Sequence, residues 1–218
     1  MLFDLDGVLV DSRAAISGCI NHALARNGLP EHAEAALHRF IGPPLALTFA
    51  ELTARSPDSA LVVACISSYR ERYAEASLHE TTVVPGITDA LSALGRHYRL
   101  AVATSKALAF AEPILTALEL RDFFDLVAGP SLSAHSEDKA ATIGAALNML
   151  DPDRAVMVGD RSFDIAGAHA RGLPAIGVTW GIGGSDELTS ARADAIIDAP
   201  AELPAAIGML MQAQDFAA

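Results

Sequence analysis

The stretch "MLFDLDGVLVDS", residues 1–12, decides the fold. Its apolar positions read as a short buried strand, yet Asp4 and Asp6 interrupt it two residues apart. Side chains two apart in a strand point to the same side, so the pattern aims two carboxylates at one place. Like charges brought together and stripped of water are costly. The arrangement is tolerable where a cation sits between the carboxylates, or where the pair carries out chemistry. The strand has little lead-in before Asp4, so either it is short or the natural start lies upstream.

Two textures follow. From about Ser12 to His79 the pattern is helical almost throughout. Asp11 or Ser12 is placed to cap a helix running to Asn27, with Gly28 and Pro30 as stop signals. "EHAEAALHRFIG" predicts a second helix ending at Gly42, a third follows "GPPL", and a long fourth runs through "SALVVACISSYRERYAEA". From "VVPGI" onward, short apolar runs alternate with helical stretches that begin near Gly86, Leu108, Lys139, Ser162, Ser185 and Ala201. The runs are "RLAVAT", "FDLVA", "RAVMVGD", "PAIGVTW" and "ADAIID". Strands apolar on both faces suit a parallel sheet covered by helices on each side. The expected fold is therefore α/β, a Rossmann-like, doubly wound parallel sheet. Residues 1–11 and 83–218 would form this core, and residues 12–82 an inserted helical domain.

The 218 residues are 51% hydrophobic and 19% charged, enough to bury a sizeable core. Fifteen Lys and Arg stand against 27 Asp and Glu, a net charge of −12. That balance opposes binding to a nucleic-acid backbone, which needs a basic face. It does not oppose a small phosphorylated substrate, because a bound metal reverses the local sign. Cys19 and Cys65 fit no metal spacing and read as buried thiols. The seven histidines form no zinc cluster. No basic segment precedes the first apolar run, which Asp4 interrupts, so a signal peptide is not expected. No apolar stretch approaches the ~20 residues that span a bilayer. A cytoplasmic protein with no membrane partner is expected; oligomeric state is not readable.

Open parallel sheets bind ligands at the C-terminal ends of their strands. Those ends carry Asp4 and Asp6, then Thr104, Ser105 and Lys106, then Asp160 with Asp164 one helical turn later; Lys139 starts a helix nearby. Clustered aspartate oxygens suit magnesium, a hard dication. A hydroxyl donor at Thr104 and an ammonium at Lys139 suit phosphate oxygens. Together these groups point to phosphoryl transfer in which one carboxylate attacks phosphorus.

"DLDGVLVDS", "VATSK", Lys139 and "GDRSFD" resemble, in order, the four motifs of the haloacid dehalogenase superfamily. Within it the chain is similar to the phosphoglycolate phosphatase branch of magnesium-dependent phosphatases. The likeness extends to "IGPPL", "GLPAIGVTWGIG" and "ADAIIDAPAEL". The resemblance implies that Asp4 is the nucleophile. Asp6 would protonate the leaving alcohol, then activate water, and its backbone carbonyl would ligate Mg2+. Thr104 and Ser105 would bind the phosphate, and Lys139 would neutralise Asp4 and the transferring group. Asp160 would ligate the metal and Asp164 order its water shell. The helical domain would be a cap that selects the substrate, a small phosphorylated metabolite. The resembled pattern often carries a proline after the lysine, where this chain has Ala140.

Lys106 is a weaker candidate than Lys139 for the cation, because it belongs to the "TSK" segment. Arg13 and Arg39 are the cations to expect between the two domains, with Arg39 and Gly42 of "RFIGPPL" as substrate contacts. His135 lies in the loop before Lys139, where a surface position is expected. A receiver module would place its phospho-accepting aspartate on a later strand. Dehalogenase relatives lack the DxD pair, and a phosphonate-cleaving relative needs a cap lysine, whereas none lies between Met1 and Ala103. A phosphosugar mutase, a nucleotidase and a pyrophosphatase remain alternatives on the same scaffold.

Overall fold

A computed structural model describes residues 1–132 and 138–215. His135 lies outside the described residues. The chain divides into two compact units, residues 1–11 with 83–218, and residues 12–82.

In chain order the elements are β1 (Leu2–Phe3), β2 (Val10–Asp11), α1 (Arg13–Arg26), α2 (Glu34–Leu37), α3 (Leu45–Thr53) and α4 (Ala60–His79). They continue with β3 (Thr82–Val83), α5 (Ile87–Leu94), β4 (Ala101–Ala103), α6 (Leu108–Ala117), β5 (Leu126–Ala128) and α7 (Lys139–Leu150). The last are β6 (Met157–Gly159), α8 (Ser162–His169), β7 (Ala175–Val178), α9 (Ser185–Ser190), β8 (Ala195–Ile197) and α10 (Leu203–Asp215).

The larger unit is built on a six-stranded sheet of order β5-β4-β1-β6-β7-β8, with every pairing parallel. This is the doubly wound architecture expected from the alternating apolar runs. Strand periodicity sorts the side chains onto two faces. Phe3, Val102, Val158 and Ile176 join one core with Leu91, Leu115 and Ile207 of α5, α6 and α10. Leu2, Ala101, Met157 and Ala175 join the other with Ile143, Ile165 and Leu188 of α7, α8 and α9. β1 sits mid-sheet: the chain runs from it to β4 and β5 on one side, then crosses to β6, β7 and β8 on the other. That reversal opens a crevice at the C-terminal ends of these three strands. β2 and β3 pair separately, and the Val84 N–H donates to the Leu9 carbonyl at 3.0 Å.

The smaller unit is helical, and α4 packs on α1 and α3. Phe49 meets Tyr69 edge-on at 6.2 Å, and Tyr69 stacks on Tyr73 at 5.1 Å. The Ser59 hydroxyl accepts the Val62 N–H and starts α4. Two local expectations need correction. The second helix does not run to Gly42: α2 ends at Leu37, a single 3-10 turn covers His38–Phe40, and Ile41 is extended. Gly42 then adopts φ +103°, a left-handed turn that ends helical continuation before Pro43 and Pro44. Ser12 occupies the cap position of α1, but its side chain makes no capping hydrogen bond.

Candidate active site

The parallel register brings Asp4, Thr104 and Asp160 to one end of the sheet. The Asp4 N–H donates to the Val158 carbonyl at 2.9 Å and the Thr104 N–H to Ala128 at 2.9 Å, so both continue the ladders beyond the last strand residues. Asp160 directly follows β6, and Asp164 lies in the first turn of α8, where its carboxylate accepts the Arg161 N–H at 3.1 Å. Carboxylate oxygens of Asp4, Asp160 and Asp164 all lie within 4.8 Å of one another, and all three residues are buried.

Lys139 joins this group from the first position of α7. Its ammonium donates to Asp4 Oδ1 at 2.7 Å and forms an ion pair with Asp164 Oδ1 at 2.7 Å, with only 2% of its side chain exposed. Asp138 holds that position by accepting the Ala140 N–H at 3.2 Å. A proline at 140 has no N–H to give, so the departure from the resembled pattern supplies a helix cap. Gly167 of α8 faces Lys139 closely: a Cβ there would lie 3.0 Å from the lysine stem.

Burial pushes the Asp4 carboxyl up to about 6; the Lys139 ammonium opposes this and Asp164 adds to it. Burial also raises Asp160 well above the usual carboxylate range, helped by Asp164 and Asp4 and opposed by the Ile182 N–H. Desolvation disfavours charged Lys139, but Asp164 and Asp4 outweigh it and hold the ammonium above the usual lysine range.

Three carboxylates and one ammonium leave two negative charges unbalanced when all are ionised. Asp160 Oδ2 accepts the Ile182 N–H at 2.7 Å, whereas its buried Oδ1 has no hydrogen-bond partner. A buried, unpartnered carboxylate oxygen facing two further carboxylates fits a hard, oxygen-seeking dication such as magnesium. The surroundings are shaped for Asp160. Gly7, at φ +84°, lies so close that a Cβ would overlap Asp160 Oδ2.

Asp6 stands apart from this trio. Its Oδ1 accepts from Lys106 at 2.8 Å, with side-chain exposures of 11% and 7%. Thr104 Oγ1 accepts the Lys106 N–H at 3.1 Å and shapes the turn after β4. Ser105 follows, partly buried. Arg39 and Gly42 belong to the helical unit, where Arg39 pairs with Glu51 and lies over the Phe40 ring at 4.3 Å.

Several supporting residues escaped sequence reasoning. Glu187 of α9 accepts both Arg161 Nε at 3.0 Å and the Ser162 N–H at 2.7 Å, bracing the loop that carries Asp160. Trp180, the only tryptophan, donates to the Val8 carbonyl at 3.1 Å and ties down the loop after Asp6. The chain has two lysines, 106 and 139, and each pairs with an aspartate of the DxD motif.

A doubly wound sheet whose central strand ends in a lysine-paired aspartate, facing two more aspartates, suits a protein that handles a metal ion and a phosphoryl group. The chain belongs to the haloacid dehalogenase-like hydrolase family, whose model matches residues 1–178. It is 38% identical over 191 residues to a 5'-nucleotidase of Pseudomonas aeruginosa, covering 86% of each chain. It is 35% identical over 212 residues to the plasmid phosphoglycolate phosphatase of Cupriavidus necator, covering 94% of this chain and 91% of that one. The solved structure of a predicted phosphatase from Clostridium acetobutylicum superposes with a TM-score of 0.90 at 35% identity, covering 96% and 97%.

Proposed function

We propose that the protein is a magnesium-dependent phosphatase that hydrolyses a small phosphate monoester through an aspartyl-phosphate on Asp4. The observation that carries the reading is the convergence of Asp4, Asp160 and Asp164, with Lys139 bridging Asp4 and Asp164. The names of the relatives, a phosphoglycolate phosphatase and a 5'-nucleotidase, support a small phosphorylated metabolite as substrate.

Asp4, Asp160 and the Asp6 backbone carbonyl would hold the metal, with Asp164 ordering its water shell. Bound there, magnesium would neutralise the carboxylates and the phosphoryl oxygens. Lys139 fixes Asp4 Oδ1 and keeps a positive charge beside the reacting group. Thr104 and Ser105 would hold phosphate oxygens. An Asp4 carboxylate oxygen bonds to phosphorus as the ester P–O bond breaks, and the departing electron pair takes a proton from Asp6. Asp6 then removes a proton from water as the water oxygen attacks phosphorus. The bond to Asp4 breaks, phosphate departs, and Asp6 is protonated again.

The test is phosphate release from a panel of phosphorylated metabolites, with magnesium and with excess chelator, for the wild type and Asp4→Asn. Turnover that requires the cation and Asp4 is expected. Full activity in chelator would overturn the metal reading, and near-wild-type activity of Asp4→Asn the covalent one.

A further inference from the structure

We infer that Lys106 is a positioning residue that acts on the reaction through Asp6, by fixing the direction in which that carboxylate meets the leaving oxygen. The inference rests on the phosphatase reading above and assigns a part to the second of the chain's two lysines.

Lys106 lacks the features of a surface lysine. Its ammonium reaches Asp6 Oδ1, 100 positions away in sequence, at 2.8 Å, and only 7% of its side chain is exposed. Its backbone is held from two sides. Thr104 Oγ1 accepts its N–H at 3.1 Å, and Gly129 lies so close that a Cβ there would stand 2.8 Å from the Lys106 carbonyl oxygen. A lysine stem is rich in rotamers, and anchoring its backbone helps to aim it.

The charges fall into two sets. Lys139 serves Asp4 and Asp164. Asp6 contributes no carboxylate to the trio that would hold the metal, and Lys106 serves it instead. Holding one oxygen of a planar carboxylate fixes where the other points. Proton delivery to a leaving oxygen demands that alignment, since donor and acceptor must come within hydrogen-bond reach. A lysine binding substrate phosphate directly would instead affect every phosphate monoester alike.

Leaving groups separate these roles. An alkyl phosphate departs as a strongly basic alkoxide and needs the proton, whereas p-nitrophenyl phosphate departs as a stabilised phenolate and needs it little. kcat/KM reports steps up to departure of the leaving group and excludes the later hydrolysis of aspartyl-phosphate. For Lys106→Met, kcat/KM for an alkyl phosphate should fall by roughly 10²-fold, the lower end of general-acid contributions, and the alkyl-to-aryl efficiency ratio at least about tenfold. Lys106→Arg, which keeps a cation there, should recover part of the ratio. In an Asp6→Asn background, Lys106→Met should add little, because residues acting through one group are not additive.

Melting temperature and circular dichroism identify any variant that fails to fold; Lys106→Arg then carries the comparison, with a ratio between those of wild type and Asp6→Asn expected. Equal losses for both leaving groups, or a full additional loss in the Asp6→Asn background, would overturn the inference and make Lys106 a phosphate ligand or a structural group. A wild type that releases no phosphate from any monoester would overturn the phosphatase reading itself, and this inference with it.

Discussion

The two units bury polar groups in different ways. In the helical unit every buried polar side chain is a hydroxyl: Ser12, Ser17, Thr48, Ser77 and Thr81. Two ion pairs there, Arg39 with Glu51 and Arg72 with Glu80, are exposed. Among described residues of the α/β unit, the buried polar side chains include Asp4, Lys139, Asp160 and Asp164, gathered at one end of the sheet. Fully burying ionised groups costs several kcal/mol each unless they are paired, so a fold concentrates them only where their interactions are used. The contrast supports the proposal that phosphoryl chemistry belongs to the sheet, and leaves the helical unit with charges that can be changed without disturbing a core.

The strongest way to break this contrast is to remove the proposed nucleophile, Asp4. Asp4→Asn should lower turnover by about 10⁴-fold or more, the scale of nucleophile losses. It should not destabilise the metal-free protein, because it removes one of three repelling carboxylates. Steady-state phosphate release and thermal unfolding in chelator check both halves. Asp6→Asn should be severely impaired but keep the nucleophile, so any slowly formed aspartyl-phosphate persists and can be trapped by acid quenching.

The next effect is on stability. Lys139→Met leaves Asp4 and Asp164 without their shared ammonium, beside the buried Asp160. Removing one partner of a buried charge set typically costs 3–5 kcal/mol. Denaturant unfolding in chelator should show a loss of about that size, and magnesium should recover part of it by supplying the missing positive charge.

A smaller effect follows from the Asp4 titration. Its folded value of about 6 lies above the ordinary 3.8, so the folded, metal-free protein holds this proton more tightly than the unfolded chain. Asp4's contribution to stability is therefore most favourable below 3.8. It declines as pH rises to about 6 and stays reduced above. A dication needs the ionised form and must displace the proton in acid. The rise in melting temperature on adding magnesium should be larger at about pH 7.5 than at about pH 5. Asp4→Asn should flatten that difference. Calcium should bind and stabilise but not support turnover, because its larger, looser coordination sphere misplaces the nucleophile.

Sequence alone resolved what periodicity and strand ends govern. The five apolar runs after residue 98 each contain a strand, because a doubly covered sheet leaves its strands no polar face to blur the pattern. Asp4 and Asp160 were legible because carboxylates at strand ends have few structural uses, and Asp164 because it lies one helical turn beyond Asp160. The 3-10 turn at His38–Phe40 was not, since "EHAEAALHRFIG" has good helix formers and no breaker before Gly42. Its termination reflects packing of Leu37, Phe40 and Ile41, all buried. The Lys106–Asp6 pair was missed for another reason. It is a contact between two loops, fixed by sheet register and by the hydroxyl of Thr104, and no local pattern encodes it.

The smallest effect falls in the helical unit. In the proposed mechanism Asp4, Asp6, Thr104, Lys139 and Asp160 recognise only a phosphoryl group, so the leaving alcohol is to be read by other residues, and Arg39 is the proposed one. Its guanidinium is 65% exposed and already paired with Glu51, itself 56% exposed, so Arg39→Ala should change stability by less than about 1 kcal/mol. To hold a substrate carboxylate, Arg39 must exchange Glu51 for it, trading one exposed partner for another at little cost. A charge-assisted contact contributes about 1.5–3 kcal/mol, so the variant should lose roughly 10- to 100-fold in kcat/KM for an acidic substrate such as phosphoglycolate. p-Nitrophenyl phosphate, which has no carboxylate, should be nearly unaffected. Because both substrates use the same phosphoryl chemistry, the ratio of their efficiencies isolates recognition of the organic part. If both efficiencies fall together, or neither falls, the carboxylate is read by another residue.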